Sequence, residues 1–208
     1  PNLLDTTLVI RALSMLRPRP TEVIESLEWL VTMQRSDGGF ALFDRHSATA
    51  SWLSRLPLGL LTHTLNDESS PEVTGWVLDL NREHLVLNHQ QVESATTFLV
   101  KSQRNDGMWR SPFSVGFIPA TSAAICGLAE RGERAQKAVR RAVDALLSHQ
   151  RSEGGWGERP DSESRGLYSD LGRSSPVQTA LALLALIRSR EVGVTPSIEK
   201  GLWYLLWN

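Results

Sequence analysis

Asp5 stands among apolar residues, directly after Leu3 and Leu4, and could share their surroundings with Trp76. A low-dielectric setting disfavours the ionised form of a carboxyl group and raises its pKa, which makes such a residue a candidate acid. A lone carboxyl is a weak donor for an alkene. It suits an easier electrophile, such as an epoxide, an imine or an allylic alcohol. Glu72 and Asp44 are the next candidates. For all three the alternative stays open of a helix cap or a solvated loop acid.

Other chemistries lack their residues. Cys126 has Ala124, not a carboxylate, two positions before it, and His46, His63, His84, His89 and His149 show no ligand spacing to it. No metal and no cofactor are therefore expected, and Cys126 reads as a small buried residue. There is no Gly-x-Ser-x-Gly elbow and no phosphate loop. Lys+Arg of 22 against Asp+Glu of 23 gives a net charge of -1, so nucleic acid is not expected as a partner. A single cysteine cannot form an intrachain disulfide, which fits a reducing, cytoplasmic compartment. No apolar run approaches the roughly 18 residues of a spanning helix, so membrane contact would be peripheral.

The elements that must position these residues follow from an internal repeat. Trp29–Phe40, Phe98–Trp109 and Ala145–Trp156 share one pattern: Gln, then Arg at +1, an acid at +3, Gly at +4 and an aromatic at +6. Their glutamines, Gln34, Gln103 and Gln150, are followed by the aromatics Phe40, Trp109 and Trp156. The uneven spacing suits one pair of helices per unit with loops of varying length, not a regular solenoid. An amphipathic helix precedes each Gln, with Val23, Ile24, Leu27, Leu30 and Val31 at helical spacing in the first. Gly at +4 is the expected helix stop, the aromatic can fold back over the helix end, and the Gln amide can bond exposed backbone groups nearby. The pattern reads as a structural clamp.

Further helices are predicted over 5–16, ended by Pro18 and Pro20, over 72–80, over 120–129 and over 178–187. The last is apolar all round and should be buried. Loops are predicted over 41–51, 63–70, 110–119 and 157–176, and no stretch shows strand alternation. The fold class is all-α, built from helical hairpins, in one domain over 1–208.

The clamps resemble the QW repeat of triterpene cyclases. The segments Asp5–Leu13, Asp37–Asp44, Pro71–Leu78, Gly116–Ala123 and Ser174–Leu183 extend the likeness to squalene-hopene cyclases, in order, across the whole chain. The resemblance maps to the carboxy-terminal, catalytic half of those enzymes. It implies an α/α barrel (a toroid) whose inner helices surround an apolar, aromatic-lined pocket, open or truncated relative to the full family barrel. It also implies alkene protonation by the middle acid of an Asp-x-Asp-Asp motif helped by a histidine. Here that motif reads Asn2-Leu3-Leu4-Asp5, so Leu4 takes the donor position, and the helper position falls on Trp76 with Glu72 in place of an Asp. Phe113 takes a cation-stabilising Trp position and still offers a π face, while Pro119 replaces a Tyr.

These substitutions imply a terpene-cyclase-like protein with a non-standard initiation. Its partner would be a small apolar substrate, isoprenoid or polyketide-like, held among Asn2, Leu4, Trp76, Phe113, Phe117 and Pro119, with Asp5 as the leading acid. Two other readings stay open: a non-catalytic binding or scaffold module, and one part of a split cyclase completed by a partner chain. The rings could equally fill a collapsed cavity. Protein prenyltransferase β subunits and thioester domains share such barrels, but the zinc ligands of the first and the Gly-Cys-Gly-Glu-Gln element of the second do not occur. Residues 198–208 read as the front of a fourth clamp, with Tyr204 in the aromatic position, and exposed Trp203 and Trp207 would favour self-association into a homo-oligomer.

Overall fold

The computed structural model describes residues 2–14, 21–43, 68–111 and 113–207. Local sequence explains where its helices begin. α1 (Leu3–Leu13) is capped by Asn2, whose Oδ1 accepts from the N–H groups of Leu4 and Asp5 at 2.9 and 3.2 Å. α2 spans Thr21–Thr32. α3 (Pro71–His84) opens on Pro71 with Ser70 as cap, since a proline at the first helical position forgoes an N–H that has no helical partner anyway. α4 (His89–Ser102) starts in a reciprocal capping box between Asn88 and Gln91. α5 (Ile118–Leu128) and α8 (Pro176–Ser189) again carry proline in the first turn. α6 (Glu133–Ser148), the one-turn α7 (Ser162–Arg165) and α9 (Thr195–Trp207) complete the set.

The helices form two layers, an inner arc of α1, α3, α5 and α8 backed by an outer arc of α2, α4, α6 and α9. The inner helices run parallel: Arg11 of α1 reaches Asp79 of α3, and Ser14 beyond α1 reaches His84 at the end of α3. The closest approach is between α3 and α5. Gly75 makes it feasible, because a Cβ there would overlap the Ala123 carbonyl, and Gly127 faces the Gly75 carbonyl in return. This is the all-α architecture expected from the helical pattern, in the α/α-barrel arrangement that the resemblance implies. Among the described residues there is no strand, only isolated bridges between Asn2 and Phe43 and between Glu158 and Asp170.

The clamps join the layers. Each Gln Nε2 donates to the carbonyl of its own +4 glycine and to a carbonyl of the next outer helix: Gln34 to Gln91 at 2.8 Å, Gln103 to Ala138 at 2.8 Å, Gln150 to Ser197 at 2.8 Å. The clamp aromatic docks on the next inner helix. Its backbone N–H donates to a threonine hydroxyl in the first turn: Phe40 to Thr74, Trp109 to Thr121, Trp156 to Thr179. Trp109 and Trp156 also donate Nε1–H back to Leu99 and Leu146 of the preceding outer helix, so the ring does fold over the helix end. All three rings are fully buried in the core between the layers.

Several boundaries differ from the sequence expectation. α1 begins at Leu3 and ends at Leu13, and α3 extends four residues beyond Leu80 because Leu85 supplies a left-handed cap. The clamp glycines do not stop the helices, which end before the glutamines. Gly38, Gly107 and Gly154 instead take φ of 90°, 85° and 95° in the turn that follows, where a Cβ would strike the backbone of the next outer helix. The expected burial of α8 all round is corrected: Val177 is 69% and Ile187 52% exposed, because only one side of an inner helix packs on the outer layer. The 157–176 loop contains α7 and the bridge at Glu158. Pro18, Pro20 and residues 44–51 and 63–67 of the predicted loops lie outside the described residues.

Candidate active site

The side of the inner arc away from the main core carries its own small apolar cluster. Trp76 of α3, 7% exposed, clusters there with Ala123 and Cys126 of α5, and Leu4 of α1 and Leu181 and Leu184 of α8 pack against the cluster. Four helices thus contribute one wall. Helical spacing places Glu72, Trp76 and Asp79 on one stripe of α3, with Glu72 a turn toward the N-terminal end and Asp79 a turn toward the C-terminal end. The wall is therefore apolar in its middle and polar at both ends.

At the N-terminal end Glu72 is buried, and its Oε2 accepts a hydrogen bond from the Ser114 hydroxyl. Ser114 is held in turn by its own N–H, which donates to Ser111 Oγ at 3.2 Å, as does the N–H of Phe113. Phe113, half-buried, meets Phe43 edge to face, with ring centroids 6.5 Å apart and an interplanar angle of 79°. Pro119 is half-buried in the first turn of α5. The fold thus brings Glu72, Phe113 and Pro119 to the ends of the inner helices and Leu4 to the cluster that holds Trp76.

The structure does not bring the other expected site residues there. Asp5 is exposed, in the first turn of α1, and lines a groove of about 350 Å³ against α2 with Asn2, Val9 and Glu22. One residue is about 100° of helix, so Leu4 can face Trp76 only if Asp5 turns away. The apolar enclosure expected for Asp5 is thus corrected. The Asn2 side chain is engaged as the α1 cap. Phe117 is fully buried in the main core, with the Arg104 guanidinium 4.6 Å from its ring centroid, and shows no surface to a ligand. Asp44 lies outside the described residues.

Two buried acids were missed by sequence reasoning. Glu158 Oε2 accepts from the N–H groups of Phe117 and Ile118 at 2.8 and 3.0 Å, so a side chain 40 residues downstream caps α5. Gly116 beside it has no room for a Cβ against that carboxyl group. Burial raises the Glu158 pKa, and the Ile118 and Phe117 N–H groups pull against it. The only signal in sequence was its place directly after the Gly-Gly-Trp-Gly of the third clamp. Asp79, 1% exposed, draws Arg11, Arg82 and Arg188 to the other end of the wall. Beside it, burial followed by the Asp79 charge pushes the Cys126 thiol up to about 12, which keeps it protonated and unreactive. Among the described residues no His, Cys, Asp and Glu group is arranged to hold a metal ion, and no helix is long and apolar enough to cross a membrane.

Paired inner and outer helices, tied by Gln–aromatic clamps around an apolar wall, define a domain of the terpene-cyclase type. The family model for the squalene-hopene cyclase C-terminal domain matches residues 1–208, and the chain belongs to that family. It is 33% identical to sporulenol synthase of Bacillus subtilis, with 97% of this chain matched to 32% of that protein. It is 30% identical to the squalene-hopene cyclase of Bradyrhizobium diazoefficiens, with 99% matched to 32%. Against enfumafungin synthase of Hormonema carpetanum it is 31% identical, with 100% matched to 17%. The chain thus spans about a third or less of the length of these relatives. The fold resembles a type II terpene cyclase from Scytonema solved with geranylgeranyl dihydroxybenzoate, with a TM-score of 0.71 at 16% identity, covering 99% of this chain and 54% of that one. It also resembles an ent-copalyl diphosphate synthase from Streptomyces platensis, with a TM-score of 0.58 at 22% identity, covering 98% and 43%.

Proposed function

We propose that the chain belongs to a class II terpene-cyclase-type protein that binds an apolar, isoprenoid or polyketide-like substrate along the Leu4–Trp76–Leu184 wall and promotes an acid-initiated cyclisation. The observation that carries this reading is the stripe on α3: a buried carboxyl group, Glu72, one turn from an apolar, aromatic wall. Leu4 stands at the position where the family resemblance implies the alkene-protonating acid, and a leucine side chain has no proton to give. Glu72 is then the acid of this site. The Ser114 hydroxyl, which donates to its Oε2, holds this carboxyl group in place at the end of the wall. A single carboxyl group of this kind suits an epoxide or allylic alcohol rather than an alkene. The Trp76 ring offers a π face to a developing cation, worth up to about 2 kcal/mol where water is excluded.

The test is turnover of terminal-epoxide and allylic-alcohol isoprenoids by the full-length protein and its variants. Glu72→Gln should abolish cyclised product and Asp5→Asn should leave it unchanged. The reverse result would transfer the role to Asp5 and overturn the assignment. One observation favours a second reading, a binding module without catalysis: Trp76 itself fills the wall, at 7% exposed. In that case ligand binding survives in Glu72→Gln and neither the parent nor any variant forms product.

A further inference from the structure

The C-terminal end of the inner wall holds a charged group that the acid chemistry leaves unused. Asp79, 1% exposed, meets guanidinium groups from three helices. Arg11 of α1 bonds its Oδ2 at 2.6 Å, Arg82 lies 3.6 Å from Oδ1 on the next turn of α3, and Arg188 of α8 lies 3.4 Å from Oδ1. One carboxylate cannot neutralise three cations. Arg82 is occupied elsewhere, donating to Glu130 and to the carbonyls of Cys126 and Ala129. Arg11 and Arg188 are not. Among the described residues Arg11 makes one hydrogen bond, to Asp79, and Arg188 makes none, its second ion-pair partner, Glu83, standing 3.9 Å away. An arginine offers five N–H donors in a fixed fork, so both side chains keep donors to spare.

These two forks come from opposite sides of the wall onto one anchoring carboxylate, with side chains 27% and 32% exposed. They adjoin the apolar strip, since the Arg11 guanidinium lies over the Trp76 ring, 6.0 Å from its centroid. Partly desolvated guanidinium forks are suited to bidentate recognition of phosphate or carboxylate oxygens. We infer that Arg11 and Arg188 form a subsite for the anionic head group of an amphipathic substrate, a prenyl chain ending in a diphosphate or a carboxylate, with Asp79 as the residue that positions both. The placement of the prenyl chain along Trp76 rests on the proposed function; the anion subsite does not.

The test is calorimetric titration of the full-length protein with farnesyl diphosphate, farnesoate, farnesol and inorganic diphosphate. Farnesyl diphosphate should bind at least about tenfold more tightly than farnesol, in keeping with charge-assisted hydrogen bonds. Farnesoate in place of the diphosphate tells which head group the forks prefer. Arg188→Gln should lower the affinity for the preferred anion about tenfold and leave farnesol binding unchanged. Arg188→Lys keeps the charge without the fork and should lie between, and the exposed Arg140→Gln should change nothing. Thermal melting of each variant separates lost binding from lost folding. Equal affinity for farnesol and both anions, or an Arg188→Gln variant that binds as the parent does, would overturn the subsite. Inorganic diphosphate binding as tightly as farnesyl diphosphate, and lost in Arg188→Gln, keeps the subsite and overturns the apolar-substrate reading on which the prenyl chain rests.

Discussion

The side-chain amide of Gln150 donates to the main-chain carbonyl of Ser197 at 2.8 Å, while the same Nε2 holds the Gly154 carbonyl at 2.8 Å. One NH2 group thus ties the turn after α6 to α9, 47 residues further on. Gln34 and Gln103 do the same between α2 and α4 and between α4 and α6. The repeat is therefore a lateral fastener between neighbouring outer helices, not only a cap on its own helix. Gln150→Ala should lower unfolding free energy by about 1–3 kcal/mol, since two half-buried carbonyls lose their donor. Urea denaturation measures it, with an unchanged m-value as the sign that the rest of the fold persists.

The second fastener runs to the inner layer. Thr179→Val keeps the shape of the side chain and removes the acceptor of the buried Trp156 N–H, now bonded at 3.0 Å. A buried donor left unpaired costs about 1–3 kcal/mol. The same loss is expected for Thr121→Val, which frees the Trp109 N–H. A neutral result at both sites in thermal melts would show that the indole bonds to Leu146 and Leu99 alone hold the rings.

Gly75 and Gly166 should respond differently to alanine. A Cβ at Gly75 meets the Ala123 backbone inside van der Waals contact, so α3 and α5 must separate, at about 1–3 kcal/mol or more. Gly166 has open space around it and only its φ of 71° opposes a side chain, at about 1–2 kcal/mol. Gly75→Ala should also disturb Trp76, one residue on, and change its fluorescence. Gly166→Ala should not.

Burial raises the folded-state pKa of Glu158 above its ordinary value of 4.5. The folded state then holds its proton to higher pH than the unfolded chain does. Its contribution to stability is fully present below about pH 4.5 and is lost as pH rises through the folded pKa. Glu158→Gln keeps an acceptor for the Phe117 and Ile118 N–H groups and removes the titration. The stability of the parent relative to this variant should therefore fall with rising pH across that window, as measured by denaturation at a series of pH values. A constant difference would mean that the two N–H bonds cancel the burial.

The repeats fixed most of the fold in advance, because the clamp is local physics: an amphipathic stripe, a glycine in a positive-φ turn, an aromatic that covers the helix end. Gln34, Phe40, Gln103, Trp109, Gln150 and Trp156 could be read as clamp residues from spacing alone. Their partners could not. Nothing near Gln150 names Ser197, and nothing near Trp156 names Thr179, since those contacts join helices tens of residues apart.

The site was less legible for the same reason. Leu4 and Asp5 are neighbours in sequence, and composition cannot tell which of them faces Trp76. The packing of α1 between α2 and α3 decides it, with Leu4 turned to the wall and Asp5 to solvent. Asp79 and Arg188 are 109 residues apart in sequence, and Glu158 caps a helix that begins at Ile118. Residue types and periods along the chain determined the helices and the clamps. Which acids are buried, and which cations meet them, was decided only by the register of the inner helices, because burial and charge pairing depend on distances that sequence separation does not contain.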